Sequence, residues 1–416
     1  MKILIYGLNY YPEPTGTGKY TGEMAEWIKE KGHDVDVIAS LPHYPKWEIA
    51  DEYKNKGFHT EIVNQVRVFR TPLIVPDSTK LNAKSRVLLE SSFAFNSLKY
   101  WIPILFKKKK YDLVIVVSPP MQLGLLPLVY KYFRGVPNIF HIQDLQVDAA
   151  VRLGMLGDGL FGKILYKIES VLLKKSTIVS TITEAMRKRI VEKKVISTKT
   201  WLFPNWSDTN FIKPMNKNNI YRKKFNFTEN DIVFMYAGNM GEKQGLELIL
   251  EAAEILKRSN NIKFVLAGAG GACEKLKKIK TQKELNNVFF LDVQPLEKLP
   301  VLISTADVHL IVQKREAADL VMPSKLTNIL SSGRPCIGTA EKGTALYEVL
   351  KTNNVGETSP PEDLQKFVEM ITKMANDNDL RNKMSVNARN YAEQYLNKNQ
   401  ILSSFESKLK ELLYNS

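Results

Sequence analysis

A lysine beside the start of a short predicted helix is the first chemical feature of this sequence. The segment "PSKLTNILSSGRPC" runs from Pro323 to Cys336. A Pro-Ser pair suits a helix start, Gly333 suits a helix end, and the following proline prevents continuation. Lys325 would then lie near the positive end of a helix dipole, where its charge is useful mainly if an anion binds. We therefore expect an anion site at Pro323, Ser324 and Lys325.

Two glycine turns could bring backbone N–H groups to the same anion. The first, in "YYPEPTGTGKYTGEMA", follows a predicted strand and contains Gly16, Thr17 and Gly18. Glycines directly before a helix allow close approach of a phosphate, although a flexible loop would have the same composition. The second turn, in "YAGNMGEKQG", follows another predicted strand. Gly268–Gly271 is a third glycine cluster, which is weak evidence by itself.

Polar residues at the end of a buried strand could take part in catalysis. His141, Gln143 and Asp144 end the strand in "NIFHIQD", and sites in parallel sheets gather at such ends. A functional histidine and a satisfied core histidine both remain open. No carboxylate or histidine cluster has metal-ligand spacing, and "DVD" at residues 34–36 alternates as a strand. We therefore expect no metal and no other cofactor.

Charge and cysteine content restrict the class of protein. The 416 residues carry a formal net charge of +15, which favours nucleic acid, an anionic membrane surface or phosphate-bearing substrates as partners. Only Cys273 and Cys336 are present, too few for a disulfide framework, and the first residues are unlike a signal peptide. We expect a cytoplasmic protein.

The segment at residues 80–110 combines apolar periodicity with a basic cluster. Val87, Ala94, Leu98, Trp101 and Leu105 recur at helical spacing, and Lys107, Lys108, Lys109 and Lys110 follow. This pattern is typical of a helix at a membrane interface, with Trp101 among the headgroups and the lysines on anionic lipid. The alternative is a packed core helix followed by a solvated lysine loop.

Strand and helix signals alternate along the chain, which indicates an α/β fold with parallel sheets. Residues 1–205 form one doubly wound, Rossmann-like unit by this pattern, and the Pro- and Asn-rich stretch "FPNWSDTNFIKPMNKNN" serves as a linker. The pattern restarts over residues 206–395. Residues 396–416 are expected to form a helix that packs back on the N-terminal domain. Ligands would bind in a cleft between the two domains.

The two glycine turns and the "PSKLTNILSSGRPCIGTA" segment, in this order and spacing, resemble glycosyltransferase family 4 over essentially the whole chain. Within the family the chain is most similar to the colanic-acid-biosynthesis type of bacterial surface-polysaccharide enzymes. The resemblance implies a GT-B fold and a metal-independent, retaining enzyme. It also implies a nucleotide-diphosphate sugar donor of the UDP-N-acetyl sugar or GDP-fucose type, and a lipid-linked saccharide acceptor at the anionic inner face of the cytoplasmic membrane.

The resemblance assigns donor contacts to residues 238–243, specifically Gly238, Asn239, Gly241 and Lys243, and to Lys325. Many relatives have arginine at the position of Asn239, and lysine where this chain has Gln244. The family's two glutamates would fall on Leu320 and Asn328, so neither carboxylate is in register. Asp319 or Glu316 could replace one of them, and Asn328 could bind a ribose hydroxyl.

In the expected mechanism, Lys325, Lys243 and the Gly16–Gly18 backbone stabilise the charge on the leaving diphosphate, and His141 and Asp144 act near the sugar or acceptor. Two other classes of function compete with this hypothesis. A sugar-nucleotide epimerase or phosphorylase would share the fold, but an epimerase would need acid-base carboxylates. A nucleic-acid-binding protein would explain the charge, but the basic residues are dispersed and no recognition motif is present.

Overall fold

The computed structural model describes residues 1–13, 16–77, 83–148, 160–315 and 323–414. The chain divides into two compact units. The first contains Met1–Pro204 and Leu402–Ser416, and the second contains Asn205–Ile401.

The first unit is a parallel sheet with helices between the strands. In chain order its elements are β1 (Lys2–Gly7), α1 (Gly16–Glu30), β2 (Asp34–Ser40), β3 (His59–Val63), β4 (Val66–Thr71), α2 (Ala83–Asn96), α3 (Leu98–Phe106), β5 (Leu113–Ser118), α4 (Leu125–Arg134), β6 (Asn138–Ile142), α5 (Leu160–Lys175), β7 (Ile178–Thr181), α6 (Glu184–Glu192) and β8 (Thr200–Leu202). The strand order is β3-β4-β2-β1-β5-β6-β7-β8, and only the β3–β4 pair is antiparallel. Every residue of β5 and β6 is buried, as expected for strands covered by helices on both faces.

The second unit repeats this construction. In chain order its elements are α7 (Ile220–Lys224), β9 (Ile232–Ala237), α8 (Glu247–Ile255), β10 (Ile262–Ala267), α9 (Cys273–Gln282), β11 (Val288–Leu291), α10 (Leu299–Ser304), β12 (Val308–Ile311), α11 (Lys325–Ser331), β13 (Cys336–Thr339), α12 (Ala345–Thr352), β14 (Gly356–Ser359), α13 (Leu364–Asn376) and α14 (Asn378–Tyr395). The sheet order is β11-β10-β9-β12-β13-β14, with all pairs parallel. The α/β, Rossmann-like prediction for both halves is confirmed.

The last helix, α15 (Lys398–Tyr414), belongs to the first unit from Leu402 onward. Its Phe405 ring stacks on Phe203 with 3.8 Å between centroids. Glu406 lies 2.8 Å from His33 Nε2, at the end of the α1–β2 connection. Apolar stacking and a hydrogen bond thus join this C-terminal segment to the first unit.

The segment predicted as a membrane-interface helix is divided and partly buried. Ser97 separates α2 from α3, and its hydroxyl lies 2.7 Å from the Tyr6 hydroxyl in the core. Trp101 is 4% exposed, with its ring edge-on to Tyr6 at 5.3 Å. The prediction that Trp101 lies among lipid headgroups is therefore wrong, because burial of its indole against the sheet is the more favourable use of its apolar area. Lys107–Lys110 are exposed after α3.

Replacing Phe405 by alanine should weaken the first unit. The ring is 3% exposed, and such deletions cost about 3–5 kcal/mol of unfolding free energy. The measurement is urea unfolding followed by tryptophan fluorescence, with Tyr414→Ala as the control because Tyr414 is 92% exposed on the same helix. Equal stability of the two variants would contradict the packing assigned to α15.

Candidate functional site

The glycine turn after β9 is fixed by contact with the next strand's turn. Gly238 has φ +146°, a conformation that favours glycine, and its N–H donates to the Ala267 carbonyl at 2.9 Å. A Cβ on Gly268 would lie 2.0 Å from the Gly238 carbonyl oxygen. The two turns therefore pack backbone against backbone at the carboxyl ends of β9 and β10, where a side chain would keep them apart.

Lys325 lies directly over the first of these turns. Its Nζ is 3.7 Å from the centroid of the Tyr236 ring, and a Cβ on Gly238 would lie 3.4 Å from the same nitrogen. Among the described residues, no carboxylate lies within ion-pair distance of this ammonium group. Burial lowers the pKa of Lys325 from 10.5 to about 7. The aromatic face is thus the main compensation for the charge, and the position suits an anionic ligand.

Tyr236 was not predicted from the sequence as a site residue. Its hydroxyl donates to the Asn239 carbonyl at 2.6 Å, and its ring carries Lys325. Burial raises the pKa of this phenol, so it stays a neutral donor. Its position in "FMYAG" could have indicated it. A side chain two residues before the glycine turn lies at the end of its strand, beside the edge of the sheet where ligands bind.

The rest of the turn differs from the expected arrangement. The Gly241 N–H donates to the Gln244 side-chain oxygen at 3.1 Å, and the Gln244 N–H donates to the Gly241 carbonyl at the same distance. The amide of Gly241 is therefore used within the protein, which argues against it as a phosphate contact. Asn239 is exposed, and its N–H has no protein acceptor in the described part of the chain. The Lys243 side chain lies outside that part.

The segment around Lys325 begins a helix as expected, but Ser324 does not cap it. Helix α11 starts at Lys325 without a side-chain cap, and Gly333 ends it with φ +63°. Pro323 contributes its carbonyl to the Leu326 N–H at 2.9 Å. Asn328, one turn further, accepts a hydrogen bond from the Ser207 hydroxyl at 3.1 Å. The alternative carboxylates Glu316 and Asp319, and Leu320 at the position of the family's first glutamate, lie outside the described residues.

Gly16, Thr17 and Gly18 form the first turn of α1 in the first unit. The Thr17 hydroxyl donates to Asn9 at 3.3 Å, and Asn9 donates to the Glu13 carboxylate at 2.7 Å. A Cβ on Gly18 would lie 2.9 Å from the Glu13 Cβ, so this turn packs closely on a buried acid. The glycines thus begin the helix rather than preceding it.

His141 has the surroundings of a core residue. It is 3% exposed, its Nδ1 lies 3.0 Å from the Ser180 hydroxyl, and its ring is 5.1 Å from Phe203. Burial lowers its pKa to about 3, so the imidazole is neutral. These contacts argue against the expected role near the sugar or acceptor. Asp144 follows the end of β6 at the carboxyl edge.

The structure therefore brings together Lys325, Gly238, Asn239 and Tyr236 in the second unit. Within the residues that the structure describes, no group of three His, Cys, Asp or Glu residues is placed to hold a metal ion. In the same ranges, helices that combine enough length and apolarity to cross a membrane are absent.

Comparisons with known proteins define the class. Residues 15–206 match the "Glycosyl transferase 4-like domain" and residues 217–391 match "Glycosyl transferases group 1". The fold is similar to sucrose-phosphate synthase from Thermosynechococcus elongatus, with a TM-score of 0.76, 15% identity and full coverage of both chains. It is also similar to HepE of Anabaena in complex with UDP, with a TM-score of 0.71, 15% identity and coverage of 99% and 100%. The protein is thus a glycosyltransferase with the GT-B fold.

Sequence similarity places it more narrowly. The chain is 37% identical to the "Putative colanic acid biosynthesis glycosyl transferase WcaI" of Escherichia coli strain K12, over 97% of this chain and 98% of that protein. The chain therefore belongs to glycosyltransferase family 4, in the group of the colanic-acid-biosynthesis enzymes, and the resemblance stated from its motifs is confirmed.

Substituting Gly238 with alanine should weaken nucleotide binding. An alanine would be strained at φ +146° and would crowd the Lys325 ammonium at 3.4 Å. We expect UDP affinity, measured by isothermal titration calorimetry, to fall at least about tenfold, or roughly 1.4 kcal/mol. Gly271→Ala is the matched control, because a Cβ there meets no atom within 4 Å. Equal affinity of both variants would count against this turn as the donor site.

Proposed function

We propose that this enzyme transfers a sugar from a nucleotide-diphosphate sugar, without a metal and with retention of anomeric configuration, to a lipid-linked saccharide. The observation that carries the proposal is the Lys325 ammonium held on Tyr236 above Gly238. A half-buried cation without a carboxylate partner among the described residues suits the diphosphate of such a donor. HepE, which has the same fold, is known in complexes with UDP and UDP-glucose.

The donor proposal follows from the charges and donors at the turn. Lys325 neutralises the diphosphate, Asn239 offers a backbone N–H, and Asn328 stands at the position proposed for the ribose. As the bond from the anomeric carbon to the diphosphate oxygen breaks, negative charge develops on the leaving group. The acceptor hydroxyl attacks the same face, forms the new glycosidic bond and transfers its proton to the departing diphosphate. Lys325 lowers the barrier by stabilising the developing charge.

Polysaccharide synthesis is the proposed pathway because WcaI is described as a colanic acid biosynthesis enzyme. We propose a UDP-N-acetyl sugar or GDP-fucose type donor. An epimerase or phosphorylase is not favoured, since the similar proteins are transferases and acid-base carboxylates have not been located beside Lys325 in the described residues. A nucleic-acid-binding function is not favoured either, because both halves of the chain match glycosyltransferase domains.

The protonation of Lys325 on ligand binding tests its proposed contact with the diphosphate. The free ammonium has a pKa of about 7, and a bound diphosphate should raise it towards 10.5. At about pH 8 the free amine is mostly neutral, so UDP binding should take up close to one proton, whereas at about pH 6 it is already charged and uptake should be small. Calorimetry in buffers of different ionisation enthalpy measures this number.

Two variants make the test specific to this residue. Lys325→Arg keeps the charge but should lose the pH-dependent proton uptake, because guanidinium does not titrate in this range. Lys325→Ala should weaken UDP binding by about 10–100-fold, the value of a hydrogen bond to a charged group. Proton uptake that is the same in Lys325→Arg and in the unmodified protein would refute the phosphate role.

We further propose a cytoplasmic enzyme that binds peripherally to the inner face of the membrane through a basic-aromatic face. We define this face by Phe106, Lys107–Lys110, Tyr132, Phe133, Lys174 and Lys175. Hydrogen bonds join the ends of its helices: Arg134 at the end of α4 donates to the Leu105 and Lys107 carbonyls, and Lys131 donates to the Lys175 carbonyl at 2.7 Å.

The composition of the face supports a lipid partner. Phe106 is 78% exposed and Phe133 is 75% exposed, although rings of this size are usually buried. Protruding aromatics surrounded by lysines are typical of a surface that inserts rings among headgroups and pairs its charges with anionic lipid. This arrangement replaces Trp101 with Phe106 and Phe133 as the proposed membrane anchors.

Vesicle flotation should depend both on the lysines and on the aromatic rings of this face. Each basic residue near an anionic surface contributes roughly 1 kcal/mol, so changing Lys107–Lys110 to serine should abolish flotation with vesicles containing phosphatidylglycerol. Phe106→Ser combined with Phe133→Ser should weaken it as well. The controls are Lys277→Ser with Lys278→Ser in the second unit, and Tyr414→Ser. Binding to purely zwitterionic vesicles at the same strength, or unchanged binding of the variants, would contradict the proposal.

A further inference from the structure

A cavity that is widely open to solvent lies in the first unit and has no part in the site described so far. Its volume is about 680 Å³, and it lies beyond the carboxyl ends of β2 and β4. The lining includes Leu41, Trp47, Val75 and Pro76, with Glu48 and Asn55 among its polar residues. Ligands of parallel sheets bind at this edge, and a concave apolar surface with a few polar groups is the usual form of a small-molecule site.

The loop that carries Trp47 is held in an unusual conformation. Trp47 has φ +57°, which is rare for a bulky residue and marks a position that the surrounding structure constrains. The Glu13 carboxylate accepts the N–H groups of His43 and Tyr44, each at 2.9 Å. The Trp47 ring packs edge-on against both of those side chains at centroid distances of 6.3 and 6.2 Å. The indole is therefore fixed in place rather than free to fill the cavity.

A buried arginine behind the lining holds a second part of the cavity, the Tyr53 side, in place. Arg70 is fully buried, and it donates to Glu61 at 2.5 Å, to the Ser40 carbonyl at 3.1 Å and to the Tyr11 carbonyl. Its guanidinium lies 5.3 Å from the ring centroid of Tyr53, which lines the cavity. One arginine thus joins the end of β2 to the segment that follows β1 and lies against the ring of Tyr53, so this aromatic wall of the cavity is fixed.

Charge decides which kind of ligand fits. Glu48 and Asp77 contribute two carboxylates to the lining against one ammonium, Lys54, which lies 2.9 Å from Glu48 and 2.6 Å from Asp51. Such a site repels a phosphate or diphosphate. A purely apolar chain would desolvate the polar rim without replacing its hydrogen bonds. A neutral sugar suits both parts, because its C–H face packs on an indole and its hydroxyls bond to amide and carboxylate groups.

We propose that this cavity binds a neutral sugar residue of the acceptor saccharide against Trp47; the assignment rests on the proposed function. Glu13 connects the cavity to the Gly16–Gly18 turn, the other part of this unit for which a substrate contact is predicted. Its carboxylate holds the Trp47 loop through His43 and Tyr44, and its side chain packs under Gly18 in the first turn of α1. Glu13 acts as a positioning residue for both segments.

The test uses methyl glycosides of glucose, galactose, fucose and N-acetylglucosamine as probes, with saturation-transfer NMR as the readout. We expect at least one glycoside to bind, and Trp47→Ala to weaken that binding by at least about tenfold, while Trp47→Phe retains most of it. Trp201→Ala is the tryptophan control, since Trp201 lies in β8 and outside the cavity lining. Glu48→Ala, at an exposed rim position, should weaken binding several-fold even if the Trp47 variant folds poorly.

Measuring UDP binding in the same variants distinguishes the cavity proposal from the proposed donor function. If Trp47→Ala loses the glycoside but retains UDP affinity, the cavity is a sugar site independent of the donor site. If the unmodified protein binds glycosides but neither UDP nor GDP, the proposed function fails and the cavity assignment stands only as a sugar site. The cavity proposal is overturned if none of the glycosides binds, if binding persists in both Trp47→Ala and Glu48→Ala, or if farnesyl phosphate displaces the bound glycoside.

Discussion

Parallel strands that end at one edge of a sheet are the constraint on which the candidate site depends. Because β9 and β10 are in register, their glycine turns meet, and the Gly268 backbone occupies the space beside the Gly238 carbonyl. β12, the neighbour of β9 on its other side, precedes the segment leading to α11. Lys325 can then reach over Gly238 although 87 positions separate them in the sequence. The sheet topology, rather than local sequence, assembles the cation and the turn.

The Lys325 ammonium shows how such a site is prepared for its ligand. A cation withdrawn from water loses solvation, and the Tyr236 ring returns only part of that energy. This incomplete compensation for lost solvation is the reason that the pKa of Lys325 is lowered. An incoming diphosphate would remove the deficit, so part of the binding energy comes from relieving an unfavourable feature of the free protein. Tyr236 also fixes the turn through Asn239, which means that one side chain positions both the charge and the backbone donor.

Sequence patterns predicted the parts of the molecule that depend on local chemistry. Glycine turns after apolar strands and the Gly333 helix end were recognisable because their backbone conformations restrict residue choice. Trp101 was placed wrongly, and the core and functional interpretations of His141 both stayed open, because periodicity and strand position cannot tell which neighbour a side chain meets. Trp101 meets Tyr6, which lies in a strand 95 positions earlier in the sequence, and His141 meets Ser180 and Phe203. Tyr236 could not be predicted as a site residue, because in sequence a tyrosine in a strand resembles any other apolar core residue.

The departures from the family pattern form one consistent change. The resemblance to the family implies, for many relatives, an arginine at the position of Asn239 and a lysine at that of Gln244, and it implies a glutamate at that of Asn328, whereas this chain has amides at all three. Gln244 closes its own turn through Gly241, and the Asn328 side-chain oxygen accepts from Ser207, so both amides also bond within the protein. With fewer charges at these three positions, more of the compensation for the ligand's charge is left to lysines elsewhere in the site. In the proposed donor site these are Lys325 and the predicted contact Lys243.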